Sequence, residues 1–368
     1  NWWETYFPAM SSKQGRVDQT VAFEWLIGVA HAKGVYDHRR VRGRGAWADA
    51  GRVVFHHGDY LIVDGQRVEI ANVKSRWVYP MSRPMPAPDP EPLTDAEGLH
   101  LLKIAQMARW VREASAPLLA GWLFLSPICG ALRWRPHIWL TGASGSGKST
   151  IQAKLVHAML DGIAEHFQGD SSEAGIRQNL CADAVPALID EFEPNDENDR
   201  RRMKSVLTLM RQASSESAAQ TVKGTISGSG LQYTIRSMFC VASISTMLDK
   251  DSDQTRVTPL VLRPPVASGS ETDRWPELKA ALDKLGDDPR WPSRILARGL
   301  ALMPVVLQAV EVFSRAAAGR FGTQRLGDQY GTLLAGAWCL TRSVVPTEAD
   351  ALAMIDSYDW SEHKESSG

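Results

Sequence analysis

The stretch Gly142-Ala143-Ser144-Gly145-Ser146-Gly147-Lys148-Ser149 lies between an apolar run, residues 137–140, and a helix-like run, residues 150–160. Its spacing matches the phosphate-binding pattern G-x-x-x-x-G-K-S, and that pattern binds nucleotides when it lies between a strand and a helix. The glycines let consecutive backbone N–H groups turn toward phosphates, and the helix that follows presents its positive N-terminal end. We therefore predict a nucleoside triphosphate site at this loop.

Individual positions of the loop have separate predicted tasks. Lys148 is expected to reach the β- and γ-phosphate oxygens, and Ser149 is expected to hold Mg²⁺. A plain Gly/Ser-rich turn is the alternative interpretation, but the match in the required strand, turn and helix order argues against it. The residues predicted to bind the nucleotide are Gly142, Ala143, Ser144, Gly145, Ser146, Gly147, Lys148, Ser149 and Thr150.

The composition indicates an ordinary globular protein. The chain has 368 residues, of which 44% are hydrophobic and 23% charged, and its formal net charge is -1. Any contact with nucleic acid must therefore come from a local patch or pore. The cysteines form no C-x-x-C pair or metal spacing, which favours a reducing compartment, so we expect a cytoplasmic protein. Prolines interrupt the uncharged stretch 116–132, so we expect a buried helix there and no membrane span.

Changes in composition divide the chain into four predicted parts. Residues 1–92 comprise an accessory module with a β-meander and a proline-rich linker. Residues 93–136 form a helical collar, which begins with a capping-box pattern. Residues 137–265 form the phosphate-loop ATPase core. Residues 266–368 form a C-terminal helical lid, because residues 295–313 and 331–340 are apolar at helical spacing.

An apolar strand that ends in acid follows the loop by about forty residues. Residues 185–189 are apolar or small, and Asp190 and Glu191 come directly after them. Asp190 is predicted to support Mg²⁺ through its water shell, and Glu191 to polarise the attacking water, which needs a carboxylate beside the γ-phosphate. An acidic pair that merely ends a strand is the alternative interpretation. The order of the elements favours a hydrolytic site.

Two further positions are candidates for phosphate contacts. A third apolar strand, residues 237–243, ends in polar residues, and either Ser243 or Ser245 could hydrogen-bond the water or the γ-phosphate. Arg256 precedes a fourth apolar strand. An arginine at that point faces a neighbouring subunit in ring ATPases, where it can stabilise transition-state charge in trans. The alternative for the serines is that they only end a strand. The alternative for Arg256 is a solvated surface arginine.

The segment between the second and third strands has the pattern of a hairpin. Residues 220–235 contain two β-like runs around a Gly/Ser turn. Ring helicases push such a hairpin into the central pore, where Lys223 would meet the phosphates of a nucleic acid. An inert surface hairpin is the competing interpretation.

Together these motifs resemble the helicase part of phage and prophage primase-helicases, within the AAA+ and superfamily 3 type of ring ATPase. The resemblance covers roughly residues 94–360. One departure is the serine at the third strand, where such helicases often have asparagine. The motifs that carry the resemblance are residues 142–149, Asp190 with Glu191, Lys223, Ser243 or Ser245, and Arg256.

The resemblance implies an α/β fold, with an AAA+-like three-layer P-loop core, a small mixed N-terminal module and a C-terminal helical bundle. It also implies a hexameric ring that hydrolyses ATP with Mg²⁺ and moves on single-stranded DNA, with a primase domain or protein as a further partner. A lid sensor would come from the C-terminal arginines, where Arg294 and Arg298 are open alternatives.

The function expected from these features is that of an ATP-dependent DNA helicase or translocase in the replication of a phage or mobile element. Two alternatives stay open. One is a ring ATPase motor for DNA packaging or defence, and the other is a DNA-binding switch that assembles on ATP without translocating.

Overall fold

The computed structural model describes residues 18–33, 37–194, 196–215, 221–223, 231–248, 251–264 and 274–360. The chain divides into two compact units, residues 1–41 and residues 42–368. The first unit contains helix α1, Gln19–Lys33. The sheets and the remaining α-helices belong to the second unit. Two features predicted from the sequence lie outside the described residues: the turn of the hairpin, residues 224–230, and the boundary at residue 265.

An antiparallel meander of four strands begins the second unit. Ala50 and Gly51 join the first two strands, Asp64 and Gly65 join the last two, and all four residues have positive φ values between 47° and 83°. Such turns match the twist of the strands they connect. The predicted meander is confirmed. Its strands are β1 Gly45–Asp49, β2 Arg52–His56, β3 Tyr60–Val63 and β4 Gln66–Glu69.

A parallel sheet of five strands forms the centre of the second unit. Its strands are β5 His137–Gly142, β6 Glu165–Gln168, β7 Ala187–Asp190, β10 Phe239–Ser243 and β11 Val257–Leu262, while β8 Thr221–Lys223 and β9 Leu231–Tyr233 form a separate hairpin. The spatial order is β11-β5-β10-β7-β6. Every residue of β5 and β10 is buried, as expected for strands that are covered on both faces. The predicted α/β class with a parallel sheet is confirmed.

Helices surround this sheet and form the C-terminal part of the unit. The capping box predicted at Thr94 is present, because Thr94 and Glu97 bond reciprocally at the start of α2. The helices of the unit include α2 Asp95–Met107, α3 Ser115–Leu125, α4 Lys148–Ile151, α5 Glu173–Leu180, α6 Glu197–Ala213, α7 Asp251–Gln254, α8 Trp275–Gly286, α9 Trp291–Ala301, α10 Met303–Phe321, α11 Gln324–Leu326, α12 Thr332–Thr341 and α13 Glu348–Asp356.

The apolar helix α3 is buried along its whole length, as predicted. Within the described residues, no single helix is both long and apolar enough to cross a membrane. Only α9 and α10 together reach that length and apolarity, and they do so as a pair bent by 73°.

A buried arginine fixes the meander to the parallel sheet. Arg44 is 6% exposed, and it donates to Asp183 at 2.8 Å and to Glu165 of β6 at 2.9 Å. Burial alone would lower the pKa of Arg44, but the two carboxylates raise it above its ordinary value, so the guanidinium stays charged. The meander and the sheet therefore share one compact unit, and the four-part domain division stays a prediction.

The collar covers one edge of the parallel sheet. Trp110 bridges Leu262 in antiparallel fashion, and the Val111 N–H donates to Val261 O at 2.8 Å. The Trp110 indole N–H donates to Ala105 O of α2, which ties this short segment to the collar helix. An uncovered edge strand would present unpaired N–H and C=O groups to other chains, and this segment pairs with the carboxyl end of β11.

Two arginines tie the collar to the C-terminal helices. Arg298 of α9 is 4% exposed and donates to Cys339 O, Leu93 O and Asp95 Oδ1. Arg294 pairs with Glu97 at 2.6 Å. Burial raises the pKa of Glu97, but the hydrogen bonds with Arg294 and Thr94 outweigh this effect and lower the pKa to about 2. The structure therefore places both candidate lid sensors in contacts with the start of α2.

Helices α3 and α12 cross at two glycines. A β-carbon on Gly121 would collide with the carbonyl oxygen of Leu333, and one on Gly336 would lie 2.5 Å from Gly121 O. The obstacles are backbone atoms in the middle of buried helices, which have little freedom to move. The crossing therefore requires glycine at both positions.

We expect Gly121→Ala to lower the free energy of unfolding by about 1–3 kcal/mol, the usual range for overpacking a core. Gly319→Ala is the matched control, because Gly319 lies in α10 with open space around its Cα. Alanine there should be neutral or stabilise by about 0.5–1 kcal/mol, since glycine is the weaker helix former. Chemical denaturation of the two variants and the parent measures both effects. Equal stabilities of the two variants would contradict the close crossing.

Candidate nucleotide-binding site

The loop after β5 has the backbone geometry that phosphate binding requires. Gly145 and Gly147 have φ values of 77° and 88°, in the left-handed region that glycine enters without steric penalty. Helix α4 begins directly after Gly147, and the first N–H groups of a helix have no partner within it. Ser146 Oγ is a buried oxygen with no hydrogen-bond partner among the described residues. The loop therefore suits an anionic ligand of several oxygens.

An open cleft of about 700 Å³ extends from this loop to the carboxyl ends of β7 and β10. Because β5, β10 and β7 are parallel neighbours, residues that follow them meet at one edge of the sheet. The cleft is lined by Lys148, Ser149, Gln152, Ala153, His157, Gln168, Asp190, Glu191, Glu193, Ala242 and Ile244.

Asp190 is held by the helical segment that follows the loop. Gln152 Nε2 donates to Asp190 Oδ1, and His157 Nε2 lies 3.8 Å from Oδ2. Gln152 is 5% exposed, whereas the Asp190 side chain keeps 35% of its surface exposed in the cleft. The amide orients the carboxylate toward the side of the sheet where the loop lies. Sequence reasoning missed both Gln152 and His157, although each lies on the helix that the motif predicts.

Ser149 and Asp190 line the same cleft. A hydroxyl and a carboxylate are the hard oxygen ligands that Mg²⁺ prefers, with water and phosphate oxygens completing its shell. Among the described residues, no group of three or more His, Cys, Asp or Glu side chains could hold a metal by itself. The two residues therefore fit an ion that arrives with a nucleotide, and their metal role stays a prediction.

Glu191 turns the chain sharply after β7. Its φ is 50°, which is uncommon outside glycine. The turn is held because Phe192 is buried, with its N–H donating to Ala242 O at 2.9 Å and its ring 5.5 Å from that of Trp139. The exposed Glu191 side chain lines the cleft. Its role in polarising water stays a prediction.

A third acid, Glu193, was missed by sequence reasoning. Its Oε1 lies 4.0 Å from Lys148 Nζ and also accepts the N–H of Ile244, directly after β10. The chain reaches this position only because Phe192 is pinned in the core between the two glutamates. Glu191 and Glu193 flank a tight turn, in which the Glu193 N–H donates to Glu191 O at 2.8 Å, so no local sequence pattern places Glu193 in the cleft.

Burial and nearby negative charge act in opposite directions on the pKa of Lys148. Burial lowers the pKa of Lys148 below its ordinary value, and the charges of Glu193 and Asp190 offset part of this effect. The ammonium is therefore directed at the acids, in the cleft where phosphate oxygens would replace them.

The two serines after β10 have different environments. Ser243 is 1% exposed, and its hydroxyl accepts from Trp139 Nε1 at 2.6 Å and donates to Ser245 O at 2.5 Å. Its hydrogen bonds thus join the core to the turn. Ser245 is exposed just beyond the strand. Of this short segment, Ile244 lines the cleft, and the sensor role of Ser245 stays a prediction.

Arg256 lies at the opposite edge of the sheet. Its carbonyl accepts from the N–H of His137, the first residue of β5, while the phosphate loop follows the last residue of that strand. A strand of this length separates the two edges by about 17 Å. Burial lowers the pKa of Arg256, and the positive charges of Arg325 and Arg211 lower it further. Arg256 therefore belongs to a cationic cluster remote from the loop of its own chain.

The hairpin predicted before the third strand is present in part. Lys223, the last residue of β8, pairs with Leu231 of β9. The turn between them and the Lys223 side chain lie outside the described residues. A contact of Lys223 with DNA stays a prediction.

No protein-family model matches the sequence, and no curated protein matches it. Among solved structures, the chain is similar to one described as "SCCmec type IV Cch - active helicase", with a TM-score of 0.50 and 11% identity. The match covers 95% of this chain and 64% of that chain, so this chain spans less than two thirds of its length. Two apo structures of the NrS-1 C-terminal region match with TM-scores of 0.37 and 0.36, each at 11% identity over 89% of this chain and 92% of that one. The similarity shows a helicase-like fold.

We expect Glu193→Gln to lower the pKa of Lys148 further. Of the two carboxylates that favour the ammonium, Glu193 has the larger effect on this pKa, and the substitution removes its charge. The midpoint of Lys148 acetylation against pH should then shift to lower pH, as measured by mass spectrometry after brief treatment with acetic anhydride. Glu191→Gln is the control, because Glu191 lines the cleft without an ion pair to Lys148 in the structure. An unchanged midpoint for Glu193→Gln would show that Glu193 does not face Lys148 in solution.

Proposed function

We propose that this chain is an ATP-dependent DNA helicase or translocase that acts in the replication of a phage or mobile element. The observation that carries the proposal is the convergence of Lys148 and Ser149 with three carboxylates in one cleft, at the carboxyl edge of parallel strands. A loop that grips phosphates together with acids that can activate water is the equipment of a nucleotide hydrolase. In this proposal the sheet and its helices form a three-layer P-loop core of the AAA+ type.

The side chains divide the reaction between them. Lys148 leaves Glu193 and binds the β- and γ-phosphate oxygens, while the loop N–H groups hold the remaining oxygens. Ser149 would hold Mg²⁺ directly and Asp190 would hold it through its water shell, and the ion would neutralise charge on the phosphates. Glu191 accepts a proton from the attacking water. Glu193 keeps the segment after β10 beside the reacting phosphate through its bond to the Ile244 N–H.

The position of Arg256 supports assembly into a ring. An arginine about 17 Å from the loop of its own chain, across the length of β5, cannot stabilise charge there. The same arginine can reach the cleft of a neighbouring copy, where a trans arginine stabilises the transition state. The resemblance to ring ATPases suggests six copies. Arg325 and Arg211, the latter paired with Asp253 at 3.0 Å, lie near Arg256 at the same edge.

Single-stranded DNA is the proposed track, and the β8–β9 hairpin is the proposed contact. The hairpin leads directly into β10, whose end contacts Glu193 in the cleft. A change at the phosphate site can therefore reach the hairpin through one strand. A primase domain or protein is a proposed further partner, on the basis of the family resemblance alone.

A motor for DNA packaging or defence and an ATP-assembled switch are the alternatives. Steady-state ATP turnover with and without single-stranded DNA separates a motor from a switch, since only a motor needs turnover. Strand displacement on a forked duplex then separates a helicase from other motors. We expect turnover that DNA stimulates and displacement that requires ATP, with Lys148→Ala as the inactive control. An ATP turnover rate that is the same with and without single-stranded DNA would contradict the proposal.

We expect Lys223→Ala to lower the affinity for single-stranded DNA and the DNA-stimulated turnover, while turnover without DNA stays near the parent rate. Loss of one phosphate contact should reduce the slope of log affinity against log salt by roughly 0.7. Titration of a labelled oligonucleotide at several salt concentrations measures this slope. Lys204→Ala is the control, because Lys204 is an exposed lysine on α6. Identical slopes for the two variants would favour the inert hairpin.

We expect Arg256→Ala to bind ATP about normally and to hydrolyse it roughly 1000-fold more slowly, the scale on which a trans arginine contributes. Mixing Arg256→Ala with Lys148→Ala should restore part of the activity. In mixed rings, an intact loop from one variant meets an intact arginine from the other. If native mass spectrometry shows mixed oligomers and turnover stays at the level of either variant alone, Arg256 does not act in trans.

A further inference from the structure

The indole ring of Trp275 lies against Gly147 of the loop, although the two residues are far apart in the sequence. Trp275 is the first residue of α8, and a β-carbon on Gly147 would lie 2.5 Å from its Cζ3 and 3.0 Å from its Cη2. Trp275 as a whole residue is nevertheless 38% exposed. A large aromatic ring that touches a phosphate loop and keeps an open surface is available to a ligand held by that loop.

The position of the ring is fixed by the packing of α8. Leu278 and Leu282 are buried, and Lys154, six residues after Lys148, forms an ion pair with Asp283. These contacts hold α8 on the helical segment that follows the loop. The ring therefore stands on a rigid element, as a binding platform requires.

The polarity of the site determines which part of a nucleotide comes near this ring. The acids of the cleft must face the terminal phosphate, because the water they activate attacks there. A nucleotide is a linear chain, so its ribose and base extend away from those acids. Asp190 and Glu193 line the cleft together with Lys148, whereas Trp275 contacts Gly147, the residue before Lys148.

We propose that Trp275 forms the stacking wall of the base subsite, so that the site takes a nucleotide base, and a purine best, on the indole face. The inference rests on the proposed function, since it assumes a triphosphate held at residues 142–149. An aromatic face binds any base through its π surface, and the larger purine ring gains more contact area. The indole of Trp275 also closes the loop at Gly147, where any larger residue would collide with it.

The test compares two ligands and three variants by isothermal titration calorimetry. The ligands are a non-hydrolysable ATP analogue and inorganic tripolyphosphate, each with Mg²⁺. Trp275→Leu keeps apolar bulk over Gly147 without a π face, Trp275→Phe keeps a π face, and Trp275→Ala has neither. Thermal unfolding of each variant checks that the fold is intact.

We expect Trp275→Leu and Trp275→Ala to bind the ATP analogue about 5- to 100-fold more weakly, the range for loss of one base–aromatic stack. Trp275→Phe should recover most of this affinity, and tripolyphosphate should bind all four proteins alike. Equal losses for both ligands, or no loss for the analogue, would overturn the stacking role and leave the proposed function standing. If the parent binds neither ligand, the proposed function fails and the base subsite fails with it.

Discussion

The parallel pairing of β10 with both β5 and β7 is the constraint on which the candidate site depends. Each strand brings a chemical group to its carboxyl end, and parallel pairing places the three ends side by side. The segment directly after β10 donates the Ile244 N–H to the third carboxylate, that of Glu193. The sheet thus sets the distance between the loop at residues 142–149 and the acids.

Much of this arrangement could be predicted from the sequence because local physics determines it. The phosphate loop needs glycine where φ is positive, and Gly145 and Gly147 meet that need. Asp190 follows an apolar run, as a residue at the end of a buried strand does. The meander was predictable too, since Asp64 and Gly65 are turn residues between alternating strands.

Other features depend on contacts between distant parts of the chain, which no local pattern reveals. Glu193 enters the site only because Phe192 finds a place in the core beside Trp139. Trp275 lies against Gly147 across more than a hundred residues of chain. The proline-rich segment before α2 was predicted to be a linker, yet Met85 is buried and its N–H donates to His57 O, so the segment is packed against the meander.

The short segment at Trp110 and Val111 has a mechanical consequence. Its backbone bonds to β11 on one side and continues into α2 and α3 on the other, so the collar cannot swing relative to the sheet without breaking that ladder. A displacement of β11 would therefore be carried directly to the collar helices. Relative motion within the chain must then arise elsewhere, at joints that lack such backbone pairing.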